Sequence, residues 1–168
     1  MWYIVPVSMK NEQEIARKCK DAVAEPGEDV FVMQRARFFQ NQHIWERRVV
    51  KLFPGDVVIE TDDIEAFRKR LMRVPSLGRL LKVEKTLQPV NPAEQELLER
   101  LGGTEHIIEL SKGYRSNNKL VVTEGPMMGL EDLVKWSDRH KRMARLEIML
   151  LGQPTEITLG VEIVEQAA

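Results

Sequence analysis

The chain has 168 residues, 43% of them hydrophobic, and its 25 basic and 26 acidic side chains nearly cancel. That is apolar material for one packed domain or two small ones, with too even a charge for the whole chain to be steered towards nucleic acid or membrane. No apolar run approaches the ~18 residues that span a bilayer, no signal pattern opens the chain, and a single cysteine excludes an intramolecular disulfide, so a cytoplasmic monomer without membrane contact is expected.

Residues 2–7 predict a strand. Asn11 and Glu14 have the spacing of a capping box. Ile15, Cys19 and Val23 recur every fourth residue behind it, so a helix buried on one face runs to Pro26-Gly27. On that face Cys19 is a core residue, not a nucleophile. Residues 29–33 predict a strand, the polar stretch 35–42 a loop, and 44–53 and 56–60 two strands broken at Pro54-Gly55. Thr61-Asp62-Asp63 supplies caps for a second helix, in which Ile64, Phe67, Leu71 and Met72 share a face and which Pro75 stops. Residues 80–83 predict a short strand. Asn91, Pro92 and Glu94 then give a cap, a first-turn proline and an early acid to a third helix; Leu97, Leu98 and Leu101 form its buried face, and Gly102-Gly103 ends it. Helices on one face of a mainly antiparallel sheet predict an α+β, ferredoxin-like domain over residues 1–102.

The pattern weakens after Gly103. The polar, turn-rich run 111–118 predicts a flexible linker over residues 103–118. Short β-rich runs at 119–123, 132–136, 142–150, 155–158 and 161–164 follow, punctuated by Gly125-Pro126, Gly129 and Gly160. They predict a small all-β barrel over residues 119–168. Ala144, Leu146, Ile148 and Leu150 alternate with Met143, Arg145, Glu147 and Met149, which places one face of that strand inside. Ile157, Thr158, Val161, Ile163 and Val164 favour strand over helix at the end of the tail.

Catalytic signals are lacking. His43, His106 and His140 stand far apart without metal-ligand spacing, and no nucleophile, metal or phosphate-loop motif is present. The expectation is a protein that is not an enzyme and needs neither cofactor nor metal. Charge is unevenly distributed instead: residues 112–145 carry eight basic and four acidic side chains. Arg139, His140, Lys141 and Arg142 form a turn, with Lys135 and Arg145 on neighbouring strands. Such a cluster suits phosphate oxygens, and paired guanidinium forks suit guanine edges. Tyr114 and Trp136 are candidates for base stacking, although Trp136 reads rather as barrel core. In the first domain Phe53 and Pro54 stand beside a rigid turn, with Pro6, Asp56 and Val58 near, as an apolar groove for a partner helix.

These motifs, in this order, resemble the NusG family of transcription elongation factors. Trp2-Tyr3-Ile4-Val5 is similar to the family's opening, Phe53-Pro54-Gly55-Asp56-Val57-Val58 to its Phe-Pro-Gly-Tyr signature, and Val74-Pro75 to its Val-Pro. Val122-Thr123-Glu124-Gly125-Pro126-Met127-Met128-Gly129, residues 138–142 and Leu151-Gly152-Gln153-Pro154-Thr155 are similar to its KOW module. The resemblance implies an NGN domain whose groove at Phe53, Pro54, Asp56, Val58 and Pro6 docks on the clamp helices of the RNA polymerase largest subunit, in some members with contact to non-template DNA. It implies an SH3-like KOW barrel that recruits a further partner: a ribosomal protein, the termination factor Rho, or RNA. Asp56 stands for the family's tyrosine, Met127 for the aromatic used towards the ribosomal protein, and Asp132 for a common glycine. With the basic turn, these departures make the chain look like a LoaP-type paralogue, an operon-specific processive antiterminator recruited by structured nascent RNA through Lys135, Arg139, His140, Lys141, Arg142 and Arg145. The alternative is a general elongation factor coupling polymerase to ribosome or Rho.

Overall fold

The structure is a computed structural model and describes residues 1–8 and 11–165. In chain order its elements are β1 (Trp2–Pro6), α1 (Glu12–Ala22), β2 (Asp29–Phe31), β3 (Gln34–Asn41), β4 (Ile44–Lys51), β5 (Asp56–Glu60), α2 (Ile64–Met72), α3 (Pro75–Gly78), α4 (Pro92–Gly102), β6 (Ile107–Ile108), β7 (Ser111–Ser116), β8 (Lys119–Glu124), β9 (Val134–Asp138), β10 (Met143–Leu150) and β11 (Gln153–Val164). This is a mixed α+β chain. Among the described residues no helix is long and apolar enough to cross a membrane. The chain forms two compact units, Met1–Met33 with Phe53–Gln95, and Gln34–Leu52 with the residues from Glu96 onward.

In the first unit β5 lies between β1 and β2, antiparallel to both. Alternation sends Tyr3, Val5, Val57 and Ile59 into one core with Ile15, Ala16 and Cys19 of α1 and Phe67 and Leu71 of α2. The Asn11 side chain accepts from the Glu14 amide at 3.3 Å and Asp63 from the Ala66 amide at 3.0 Å, so both helices begin at the capped positions the sequence predicts. Burial pushes the Cys19 thiol up to about 12, as expected of a core cysteine. Pro75 ends α2 and also opens α3, where a proline at the first helical position forfeits no hydrogen bond. The predicted strand at 80–83 is reduced to a single bridge, Val7 to Leu81.

In the second unit β8, β7, β11, β10 and β9 form one five-stranded sheet. The Gln153–Gly160 stretch of β11 pairs antiparallel with β10, and Val161–Val164 pairs parallel with β7. The two runs predicted at 155–158 and 161–164 are therefore one strand that changes partner at Gly160. A Cβ there would lie 2.4 Å from Leu110 Cδ2 and 3.1 Å from the Arg37 Cα, so the bend is made where only glycine fits. In β10, Ala144, Leu146 and Ile148 are buried and Arg145, Glu147 and Met149 exposed, in the predicted phase.

Two sequence expectations are corrected here. Residues 35–42 are not a loop: β3 pairs with β4 along its whole length, and Ala36 is fully buried. Its arginines and Gln40 hid the strand because hairpin strands can carry polar side chains on their faces. Residues 103–118 are not a linker of irregular chain: they hold β6, which pairs parallel with β3, and β7, hydrogen-bonded on both edges. Buried Ser111 and Gly113 alternate with exposed Lys112 and half-buried Tyr114, a two-residue period that lapses at exposed Arg115 and carries almost no hydrophobic signal. The strands also divide among three sheets, β1-β5-β2, β4-β3-β6 and the five-stranded one.

Candidate nucleic-acid interface

The basic turn joins β9 to β10. Asp138 pairs with Met143 at the base of the hairpin, and its carboxylate accepts from the Lys141 amide at 3.0 Å. That bond, foremost, holds the Asp138 carboxyl below its ordinary range. The acid thus orders a turn whose Arg139, His140 and Lys141 are exposed. Arg139 Nη1 lies 2.7 Å from Glu165 Oε1. Both side chains are well exposed, and such a pair contributes only about 0–1 kcal/mol, so a phosphate can replace the carboxylate at small cost.

Arg142 has a different role from its neighbours. Its φ of 52° is left-handed, a conformation that costs a non-glycine residue roughly 1 kcal/mol. Its guanidinium lies 4.7 Å from the Trp45 ring and 5.3 Å from the Phe38 ring, and those rings meet edge to face at 6.2 Å. Each cation–π contact contributes about 0.5–1 kcal/mol at a partly exposed site. The turn is thereby anchored on the β3–β4 hairpin through the residue the sequence counted among the RNA readers. Arg145 stands opposite Trp136 in the ladder, its guanidinium 4.8 Å above the indole. Trp136 is exposed, not barrel core, because β9 is an edge strand and the residue falls on its outer face. Lys135 beside it is exposed as well.

The structure adds cations that the sequence reading passed over. Arg37 and Arg48 face each other across β3 and β4, both over the Phe39 ring at 4.5 and 4.8 Å. Arg35 Nη1 and Arg37 Nε are buried without a hydrogen-bond partner, and burial, then the Arg37 charge, lowers the Arg35 pKa. Arg47 is paired with Glu109 through two hydrogen bonds. The available signal was the alternation Arg35-Ala36-Arg37, which only the strand assignment makes visible.

The second predicted site lies in the first unit. Pro6 pairs with Asp56 in the β1–β5 ladder, and the Val7 amide donates to the Gly55 carbonyl at 2.9 Å, so Pro6, Pro54 and Asp56 occupy one end of the sheet beside half-buried Phe53. Pro6 and Pro54 are exposed, whereas Val58 is 2% exposed and offers no side chain to a partner. The buried Glu12 carboxylate accepts from the Gly55 amide at 3.2 Å. Burial first, and the Glu12 charge second, raise the Asp56 pKa. Among the described residues no group of three or more His, Cys, Asp or Glu side chains is placed to hold a metal ion.

No family model matches the chain, and no curated protein matches it. Among solved structures it is similar to NusG of Thermotoga maritima, in a structure concerned with that protein's domain interaction. The two are 20% identical over 95% of this chain and 92% of the other, with a TM-score of 0.46.

Proposed function

We propose that this chain is a transcription elongation factor without catalytic chemistry, an operon-specific processive antiterminator whose NGN-type domain docks on the RNA polymerase clamp helices and whose KOW-type barrel binds structured nascent RNA. The observation that carries the reading is the β9–β10 turn: Arg139, His140 and Lys141 point into solvent from a loop that Asp138 orders and Arg142 anchors. A pre-ordered cationic loop suits the regular phosphate spacing of a folded RNA. The motifs from Trp2-Tyr3 to Leu151-Gly152 supply the transcription context, and Phe53 and Pro54 supply the apolar contact at the exposed end of β1 and β5. Binding two parts of one elongation complex raises the effective concentration of each contact, so neither needs to be tight alone.

Met127 favours this reading over a general factor coupled to ribosome or Rho. It stands where the family's aromatic meets the ribosomal protein, yet it is fully buried here and its amide donates to the buried Ser111 hydroxyl at 3.1 Å. It offers no side chain to a partner.

The test is transcription by purified polymerase through a terminator, with and without a structured leader, in the presence of the full chain. Leader-dependent readthrough is expected. Arg139→Ala with Lys141→Ala abolishes the leader dependence while polymerase binding persists, and Phe53→Ala weakens polymerase binding in a folded protein. Readthrough that ignores the leader, or strong binding to the ribosomal protein or Rho, overturns the specialised role. Failure to bind elongating polymerase overturns the whole reading.

A further inference from the structure

A cleft of about 470 Å³ opens on the second unit, walled by Arg115, Lys119, Glu131, Asp132, Lys135 and Trp136. Its size lies within the roughly 300–1,000 Å³ typical of small-ligand sites. Its walls are built, not incidental. Asn117 and Asn118, at φ 53° and 63°, make the tight β7–β8 turn that brings Arg115 and Lys119 together. The Arg115 guanidinium is held by the Ser137 carbonyl and by the Ser137 hydroxyl at 3.0 Å. Glu131 is also fixed, its Oε1 accepting from the Gly129 amide at 2.8 Å. Asp132 and Lys135 are exposed. Trp136 is 36% exposed, with the Arg145 guanidinium over one face of its ring.

This chemistry excludes a simple anion and suits a nucleotide. The carboxylates of Glu131 and Asp132 repel a bare phosphate, while Arg115, Lys119 and Lys135 in the same lining attract one. The Trp136 ring adds a stacking surface. A nucleotide carries the same three features: a phosphate, a π-face and a hydrogen-bonding edge. The edge opposite a carboxylate must donate. Among the four RNA bases only guanine places two adjacent donors, N1–H and the 2-amino group, on its Watson–Crick edge. Adenine and cytosine set an acceptor nitrogen beside their amino group, and uracil flanks its single N–H with two carbonyls, so each meets a carboxylate with a lone pair.

We propose that the cleft is a pocket for one unpaired guanine of the bound RNA, stacked on Trp136 and read by the Asp132 carboxylate, with its flanking phosphates on Lys119 and Lys135. The proposal rests on the RNA-binding reading above and adds to it a sequence-reading subsite separate from the basic turn. The turn grips the folded RNA through its backbone, and the pocket selects the transcript that presents a guanine outside the helix.

Three short RNA hairpins test this with the full chain: one fully paired, one with a single bulged guanine and one with a bulged adenine. The guanine bulge is expected to bind about tenfold more tightly than the paired hairpin, the scale of one base–aromatic stack, and more tightly than the adenine bulge. It also shifts the Trp136 indole N–H resonance. Trp136→Ala removes the gain from either bulge, Trp136→Phe restores part of it, and Asp132→Asn, a surface change that leaves the fold alone, removes the preference for guanine over adenine. Arg139→Ala with Lys141→Ala weakens all three hairpins alike. Equal binding of the paired and bulged hairpins, or a guanine preference that survives Asp132→Asn, overturns the pocket and leaves the turn standing. Failure of all three to bind overturns both.

Discussion

Cys19 and Trp136 mark the two ends of what single residues reveal. Cys19 sits in a four-residue apolar period, and its burial was legible from that period alone. Its thiol, pushed up to about 12 by burial, is expected to resist alkylation in the native protein at pH 8, with labelling appearing only at denaturant concentrations that unfold the chain. The large apolar ring of Trp136 suggests an interior position, whereas its exposure follows from the place of β9 at the edge of the sheet, beside β10 alone. Asp56 carries a pH signature. Its folded pKa is raised, so the proton is held more tightly in the fold than in the unfolded chain. The cost of its charge is fully present above the folded pKa and is relieved as pH falls through that value towards the ordinary 3.8. Asp56→Asn should therefore raise the denaturation midpoint at pH 7, with a gain that fades as pH falls through the raised folded pKa and is gone below the ordinary value of 3.8. A gain independent of pH would refute the assignment.

Among the elements, capped helices were read well and polar strands poorly. Asn11 and Asp63 announce α1 and α2 through hydrogen bonds made within three residues along the chain. β3 and β7 have no such local mark; their backbones are strand because partners on both sides take up the hydrogen bonds. The fit at β7 is tight. A Cβ on Gly113 would stand 2.2 Å from the Val121 carbonyl oxygen, and backbone cannot yield as a flexible side chain does. Gly113→Ala should cost about 1–3 kcal/mol, as overpacking does, seen as a lower urea midpoint at unchanged slope. The β3–β4 hairpin supports the basic turn through Arg142. Trp45→Ala should lower RNA affinity about two- to fivefold, the loss of one cation–π contact, in titrations at constant salt. Undiminished affinity would detach the hairpin from the turn.

At the scale of the molecule, the motif order from Trp2 to Thr155 carried the family resemblance, while the division of the chain did not show in sequence. A boundary read from composition follows the chain in one direction. The observed units each gather two separated stretches, which no composition shift records. The even net charge conceals the basic excess of residues 112–145, so the proposed RNA contact should be strongly ionic. If the turn and its neighbours neutralise about four phosphates, log K against log salt should fall with a slope of about −3. A slope near zero would remove phosphate contact from the account.

The partner change in β11 has a consequence for how the protein comes into being. Val161–Val164 supplies the parallel edge for β7, and parallel neighbours cannot zip up from an adjoining turn as hairpins do. During synthesis the β7–β8 hairpin emerges early, and the edge of β7 that pairs with β11 stays bare until that strand leaves the exit tunnel. Maturation of the second unit is thus timed by its last segment, and a stall in translation before residue 161 would hold β7 exposed to intermolecular pairing.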